Sequence, residues 1–108
     1  MNPTQYELDL ISGDLKWSED LYASFGYDKS EPANDIDWWT SHIHPEDAMI
    51  LNQAMDKLMD PLAHEWTVEY RFRKADNSHI LVQDHAAIVR SAAGNAVRLS
   101  GTLTPQSK

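Results

Sequence analysis

Glu65-Trp66-Thr67-Val68-Glu69-Tyr70-Arg71-Phe72-Arg73 is the stretch that decides the fold. Trp66, Val68, Tyr70 and Phe72 fall on one side, and Thr67, Glu69, Arg71 and Arg73 on the other. This is the period of a strand with one buried face. Ala75-Asp76-Asn77-Ser78 follows with hairpin chemistry, Asn77 being able to take a left-handed backbone. A second long strand is predicted from about His79 to Arg90, then a loop from Ser91 to Asn95 that contains Gly94, then a last strand from Val97 to Leu103. Links this short join antiparallel neighbours.

Working outward, Tyr6, Leu8 and Leu10 alternate with Glu7 and Asp9, and Leu15 and Trp17 flank Lys16. With Ser12-Gly13-Asp14 between them they read as a hairpin, Gly13 at the tight position. Ser18 is placed to cap a short helix that carries Leu21, Tyr22 and Phe25 and ends at Gly26. Residues 28–37 are loop-like. Asp37-Trp38-Trp39-Thr40-Ser41 reads as a helical turn with one tryptophan buried and the other partly exposed, because adjacent helical residues diverge by about 100°. His42-Ile43-His44-Pro45-Glu46-Asp47 opens the longest predicted helix, Pro45 to Met59. Proline suits its first position and the acids suit its positive end. Ala48, Leu51, Ala54, Met55 and Leu58 share one face, and Asp60-Pro61 ends it. Two strands, several short helices and three long strands make an α+β chain whose helices must cover one face of an antiparallel sheet.

With 108 residues the chain is expected to be one domain, its core about 6–104 and a tail at 105–108. Hydrophobic residues are 42% and charged residues 24%, an ordinary globular balance. There is no cysteine, which removes disulfides, thiolate metal sites and thiol-linked cofactors. A formal net charge of −8 argues against binding nucleic acid or an anionic membrane surface. Arg71, Arg73 and Lys74 read as a solvated face. No apolar run approaches a membrane span, and Met1-Asn2-Pro3-Thr4-Gln5 lacks the basic start and apolar stretch of a signal peptide. The expected location is the cytoplasm.

Trp17-Ser18-Glu19-Asp20, Phe25-Gly26-Tyr27, Trp38-Trp39, His42 to Asp47, Glu69 to Asn77 and Gly101-Thr102-Leu103-Thr104 together resemble the successive motifs of PAS domains. The subgroup they resemble occurs in bacterial sensor histidine kinases and cyclic-di-GMP signalling proteins. The resemblance implies a five-stranded antiparallel sheet with short helices packed on one face and a pocket between the two layers. It also implies a module that is not itself an enzyme, often dimerises, and regulates an attached kinase or cyclase. Members hold haem, flavin, small acids or nothing. The chain differs from the family pattern at Leu81, where tryptophan is frequent, at Asp76-Asn77 in place of Asp-Gly, and at Pro105-Gln106-Ser107, where the family hands over to a linker helix.

Tyr22, Phe25, Trp39, Met55, Leu58, Tyr70 and Phe72 are the candidate pocket lining, with a side-chain-filled core as the competing reading of the same residues. His42 and His44 with Glu46 and Asp47 read as a helix start rather than a metal site. Haem needs an axial ligand. Its usual place in the family, the long helix, has no histidine, and His85 is the remaining inward candidate. Light-sensing flavin adducts need a cysteine, so no coloured cofactor is expected. An Asp84–His85–Ser100 triad is discounted, because adjacent strand residues face opposite ways. The reading is a signal-sensing or protein-interaction module, a homodimer joined to an output domain. A stand-alone enzyme with a His/Asp pocket and a ligand-free dimerisation scaffold are the alternatives.

Overall fold

The computed structural model describes residues 3–28 and 34–106. The middle of the loop expected at 28–37 and the last two tail residues, Ser107 and Lys108, lie outside them. Five strands, β1 (Thr4–Asp9), β2 (Leu15–Trp17), β3 (Glu65–Arg73), β4 (His79–Arg90) and β5 (Ala96–Pro105), form one antiparallel sheet in the order β2-β1-β5-β4-β3. Three short helices, α1 (Asp20–Phe25), α2 (Ile36–Ser41) and α3 (Ala48–Met55), fall between β2 and β3 in sequence. The alternation seen in the sequence sorts the sheet into two faces. Tyr6, Leu8, Trp66, Tyr70, Phe72, Val82, Ala86, Leu99 and Leu103 are buried against Leu21, Phe25, Trp39, Leu51 and Ala54 of the helices.

One row across the sheet explains the spacing of the two layers. The register aligns Trp66, Ala86, Gly101, Tyr6 and Trp17 on neighbouring strands. Large rings at the flanks fold inward over two small residues at the centre. A methyl group on Gly101 would stand 2.4 Å from Cζ of Tyr6. That glycine is required by the space its neighbour fills.

Turn and cap chemistry follows the sequence at Gly26 (φ +81°), which ends α1 with its N–H on the Tyr22 carbonyl, and at Asn77 (φ +71°) in the β3–β4 hairpin. Elsewhere the tertiary structure overrides the local signal. Ser18 does not cap α1. Its hydroxyl accepts from the Gln5 N–H at 3.0 Å and its N–H donates to the Gln5 carbonyl, so it serves as an extra rung of the β1–β2 pair. The helix expected over 45–59 is three pieces: a 3₁₀ turn at Pro45–Asp47, α3, and a 3₁₀ turn at Asp56–Met59. Arg90 reaches that last turn and donates to the carbonyls of Lys57, Leu58, Asp60 and Ala63, at the helix end where carbonyls outnumber their intrahelical partners.

Both tryptophans of α2 are buried, not one. Trp39 faces the sheet. Trp38 is enclosed by a second layer, stacked on the His42 ring at 3.9 Å and edge-on to Tyr27 at 5.1 Å. Arg71 is not a simple solvated side chain either. Its guanidinium binds Asp47 at 2.8 and 3.0 Å and Glu46 at 3.1 Å, and its backbone N–H donates to Asp47 as well. The acids expected to serve the helix start therefore tie it to β3. Residues 42–44 also pair with the outer edge of β3, through His44 N–H to the Arg71 carbonyl and Arg73 N–H to the His42 carbonyl.

The strand expected to stop at Leu103 continues through Pro105, which pairs with Val82, and Gln106 donates to the Leu81 carbonyl. Proline is tolerated because its nitrogen faces the β1 side, where pairing has already ended at Thr4 and Leu103. Among the described residues no helix is long and apolar enough to cross a membrane.

Gly101→Ala is expected to destabilise the fold by about 1–3 kcal/mol in urea titration, the usual cost of overpacking a filled core. A variant as stable as the parent would place the Tyr6 ring elsewhere. The Asp47–Arg71 contact holds the Asp47 carboxyl down at about 2, chiefly through the Arg71 hydrogen bonds. A depressed carboxyl contributes stability above its unfolded value of 3.8 and loses it as pH falls toward 2. Arg71→Gln should therefore flatten the acid limb of stability measured between about pH 4 and 2.

Candidate functional site

The polar centre of the core is a residue whose side chain the sequence reading did not place there. Along β4 the inward positions are Val82, Asp84, Ala86 and Ile88. Asp84 is fully buried, and its two carboxyl oxygens each accept one phenolic O–H, from Tyr6 of β1 at 2.7 Å and from Tyr70 of β3 at 2.9 Å. Trp39 of α2 donates its indole N–H to the Tyr70 oxygen at 3.0 Å. The chain Trp39–Tyr70–Asp84–Tyr6 thus links a helix and three strands inside the core. Tyr6 reaches Asp84 because Gly101 leaves room beneath its ring. Trp66 turns its buried indole N–H toward the same carboxyl without a hydrogen bond of normal geometry, and it too favours the anion.

Burial dominates the electrostatics. It pushes the Asp84 carboxyl up to about 6 against the lowering effect of the hydrogen bonds from Tyr6 and Tyr70. Ionised Asp84 therefore costs the fold on the order of 3 kcal/mol relative to an exposed aspartate. Burial first, then the Asp84 charge, drives the Tyr6 and Tyr70 hydroxyls well above their ordinary value, so both remain proton donors.

The expected lining residues divide into two groups. Phe25, Trp39, Tyr70 and Phe72 are fully buried, with Phe25 and Phe72 in ring contact at 5.2 Å and Trp39 joined to Tyr70 by the hydrogen bond above. Tyr22, Met55 and Leu58 are half-buried at the margin of this core. Leu58 also lines a surface cleft of about 560 Å³ with Leu10, Met59, Pro61 and Arg90, apart from the Asp84 network.

His85 is not an inward group. It is exposed on the outer face, hydrogen-bonded to the Thr67 hydroxyl at 2.8 Å and 3.8 Å from Glu65. Strand alternation puts it on the opposite side from Asp84, so the two cannot act as a pair. His42 packs beneath Trp38 with its Nδ1 on the Trp38 carbonyl, and His44 accepts the Glu46 N–H at the helix start. Among the described residues no three metal-ligating side chains converge.

The chain matches one family model, described as the PAS fold, over residues 14–103. Among solved structures it is similar to the N-terminal domain of a diguanylate cyclase with PAS/PAC sensor from Marinobacter aquaeolei, with TM-score 0.83, 18% identity, and 96% of this chain and 94% of that chain covered. It is similar also to a sensory box histidine kinase/response regulator from Burkholderia thailandensis, with TM-score 0.78, 20% identity, and 95% and 76% covered. A third is the Cycle PAS-B domain of Drosophila melanogaster, solved with bound ethylene glycol, with TM-score 0.77, 17% identity, and 95% and 99% covered. At these identities the likeness is one of fold. No curated protein matches the chain by sequence.

A carboxyl raised in the folded state binds its proton more tightly there than in the unfolded chain. Its contribution to stability is therefore greatest below about 4 and is lost as pH rises toward 6. Asp84→Asn should remove this dependence. Compared by urea titration, the difference between variant and parent should change steadily across that window and level off above it. A difference independent of pH would mean that Asp84 does not titrate there. His79, which burial lowers, acts equally in both proteins and cancels in the comparison.

Proposed function

The chain belongs to the PAS fold family, and we propose that it is the sensory or interaction module of a larger signalling protein, set beside an output domain such as a histidine kinase or cyclase. The observation that carries this reading is the network of Trp39, Tyr70, Asp84 and Tyr6. It joins the helical layer to the strands through polar contacts that can rearrange, whereas among the described residues nothing around it forms a nucleophile–base pair. The pairing that a stand-alone His/Asp enzyme would use is split across the sheet at Asp84 and His85.

Close packing of Phe25, Trp39, Tyr70 and Phe72 supports an input smaller than haem or flavin. The same packing also favours the second reading, a scaffold that works without a ligand. We place the module in the cytoplasm as a homodimer. Its proposed contact surface is the outer sheet face or the N-terminal segment; an exposed Trp38 would have supported this, and its burial removes that support.

Fused to its output domain, a Tyr70→Phe variant is expected to shift basal output by about 5- to 150-fold, the usual size of a coupling between sites, while circular dichroism stays unchanged. Output that does not respond to Tyr70 or Trp39 substitution would count against a sensory role for this core. Freshly purified chain should show neither a Soret nor a flavin band, and light scattering should give twice the chain mass.

A further inference from the structure

A carboxyl at the centre of an apolar core is costly, and a neutral residue of similar size would often remove that cost. Here the group is supplied with two dedicated donors rather than replaced. We propose that the proton is the input of this module: its uptake at Asp84 reverses the hydrogen bond from Tyr6 and loosens β1 from the rest of the core. This rests on the sensory reading above and adds to it the identity of the signal.

The inventory of donors and acceptors forces the reversal. Ionised, Asp84 only accepts, and one oxygen serves each tyrosine. A proton arriving from solvent forms an O–H bond on one of those oxygens, and that oxygen now has to donate. Tyr70 is poorly placed to receive it. Its oxygen already accepts the Trp39 N–H, and its own hydrogen needs the second carboxyl oxygen. Tyr6 has no such competing donor among its hydrogen bonds, so the proton settles on the oxygen that faces it and Tyr6 becomes the acceptor. The Tyr6 hydrogen, buried beside Gly101, then loses the acceptor it had. An unpaired buried donor is a penalty that local rearrangement relieves. The relief falls on β1, which carries Tyr6 and is paired with both β2 and β5.

The other groups around Asp84 do not compete for the proton. From β3 come Tyr70 and Trp66, and from α2 Trp39, acting through Tyr70. On β5 the neighbour in register is Leu103, and beyond it on β1 lies Thr4, buried with its hydroxyl unpartnered. The buried residues of α1 and α3 are Leu21, Ser24, Phe25, Leu51 and Ala54, none of them charged. His85 acts weakly, from the opposite face of β4. Among the described residues no lysine or arginine neutralises the carboxylate, so its charge state depends on burial and the tyrosines.

The test is carbon-13 NMR titration of the Asp84 carboxyl together with amide hydrogen exchange, on the parent chain, Asp84→Asn and Tyr6→Phe. Asparagine presents an NH2 donor group beside a carbonyl acceptor, as protonated aspartate presents an O–H beside a carbonyl. In the parent, Asp84 should titrate in one step near 6, and the protection of β1 amides, taken relative to their intrinsic base-catalysed exchange at each pH, should fall several-fold on the acid side with the same midpoint. Asp84→Asn at about pH 7.5 should already show the lower β1 protection that the parent has on the acid side and should not respond further. Tyr6→Phe, which lacks the hydroxyl, should still show Asp84 titrating, with its midpoint moved up by loss of that hydrogen bond, and should lose the β1 response; it serves if the asparagine variant does not fold. Titration of Asp84 below about 4.5, or β1 exchange that ignores its protonation, would overturn the proton as input. Neither result touches the sensory role, which the output assay with Tyr70→Phe decides separately.

Discussion

A carboxylate removed from water has to be given hydrogen-bond donors by the fold, and at Asp84 this requirement organises the interior. Two tyrosines from different strands must bring their hydroxyls to one point, which constrains β1, β3 and β4 together. Tyr6 can reach only across a position without a side chain, hence Gly101. Tyr70 is held in turn by Trp39, which fixes how α2 sits on the sheet. The aromatic packing around these residues is what apolar burial alone would produce. Its particular arrangement answers to the carboxyl.

The periphery is secured by a different device. Arg71 and Arg90 each gather several oxygen acceptors at opposite ends of the helix that covers the sheet. Arg71 binds the carboxylates of Asp47 and Glu46 at its start, and Arg90 binds the carbonyls of Lys57, Leu58, Asp60 and Ala63 at its finish. A planar guanidinium with five N–H groups suits this role, where a lysine would meet fewer acceptors. The helical layer is short-winded and broken by 3₁₀ turns, so pinning its ends to β3 and β4 compensates for what its own hydrogen bonds lack. The outcome is a helical layer tied at both ends to the sheet, around a core whose polar centre is the group proposed to change state.

A good deal of this was legible in the residues. Strand phase in Glu65–Arg73, the hairpin at Asn77, the left-handed stop at Gly26 and the layer order all follow from the identities of neighbouring residues, because side-chain alternation and backbone preference are local. The family resemblance agrees with them. The site was less legible. Phe25, Trp39, Tyr70 and Phe72 were singled out as lining and do lie together in the interior. Asp84 was weighed only with His85 and Ser100, as a discounted catalytic triad. Its parity with Val82, Ala86 and Ile88 was the available signal, and an acid in that phase, with two tyrosines on inward positions of other strands, is the pattern that would have found it.

By itself the sequence determined where most strands, turns and helices lie and which strand face is apolar, since these depend largely on contacts between near neighbours along the chain. Only the tertiary structure decided that Ser18 pairs with β1 instead of capping, that Trp38 is enclosed, that Arg71 clamps Asp47, and that β5 continues through Pro105. It alone decided that Asp84, Tyr6 and Tyr70 meet. Their separations along the chain are 78 and 14 residues. No local preference encodes such a meeting, because it is set by strand order and register, which follow from burying the whole apolar face at once.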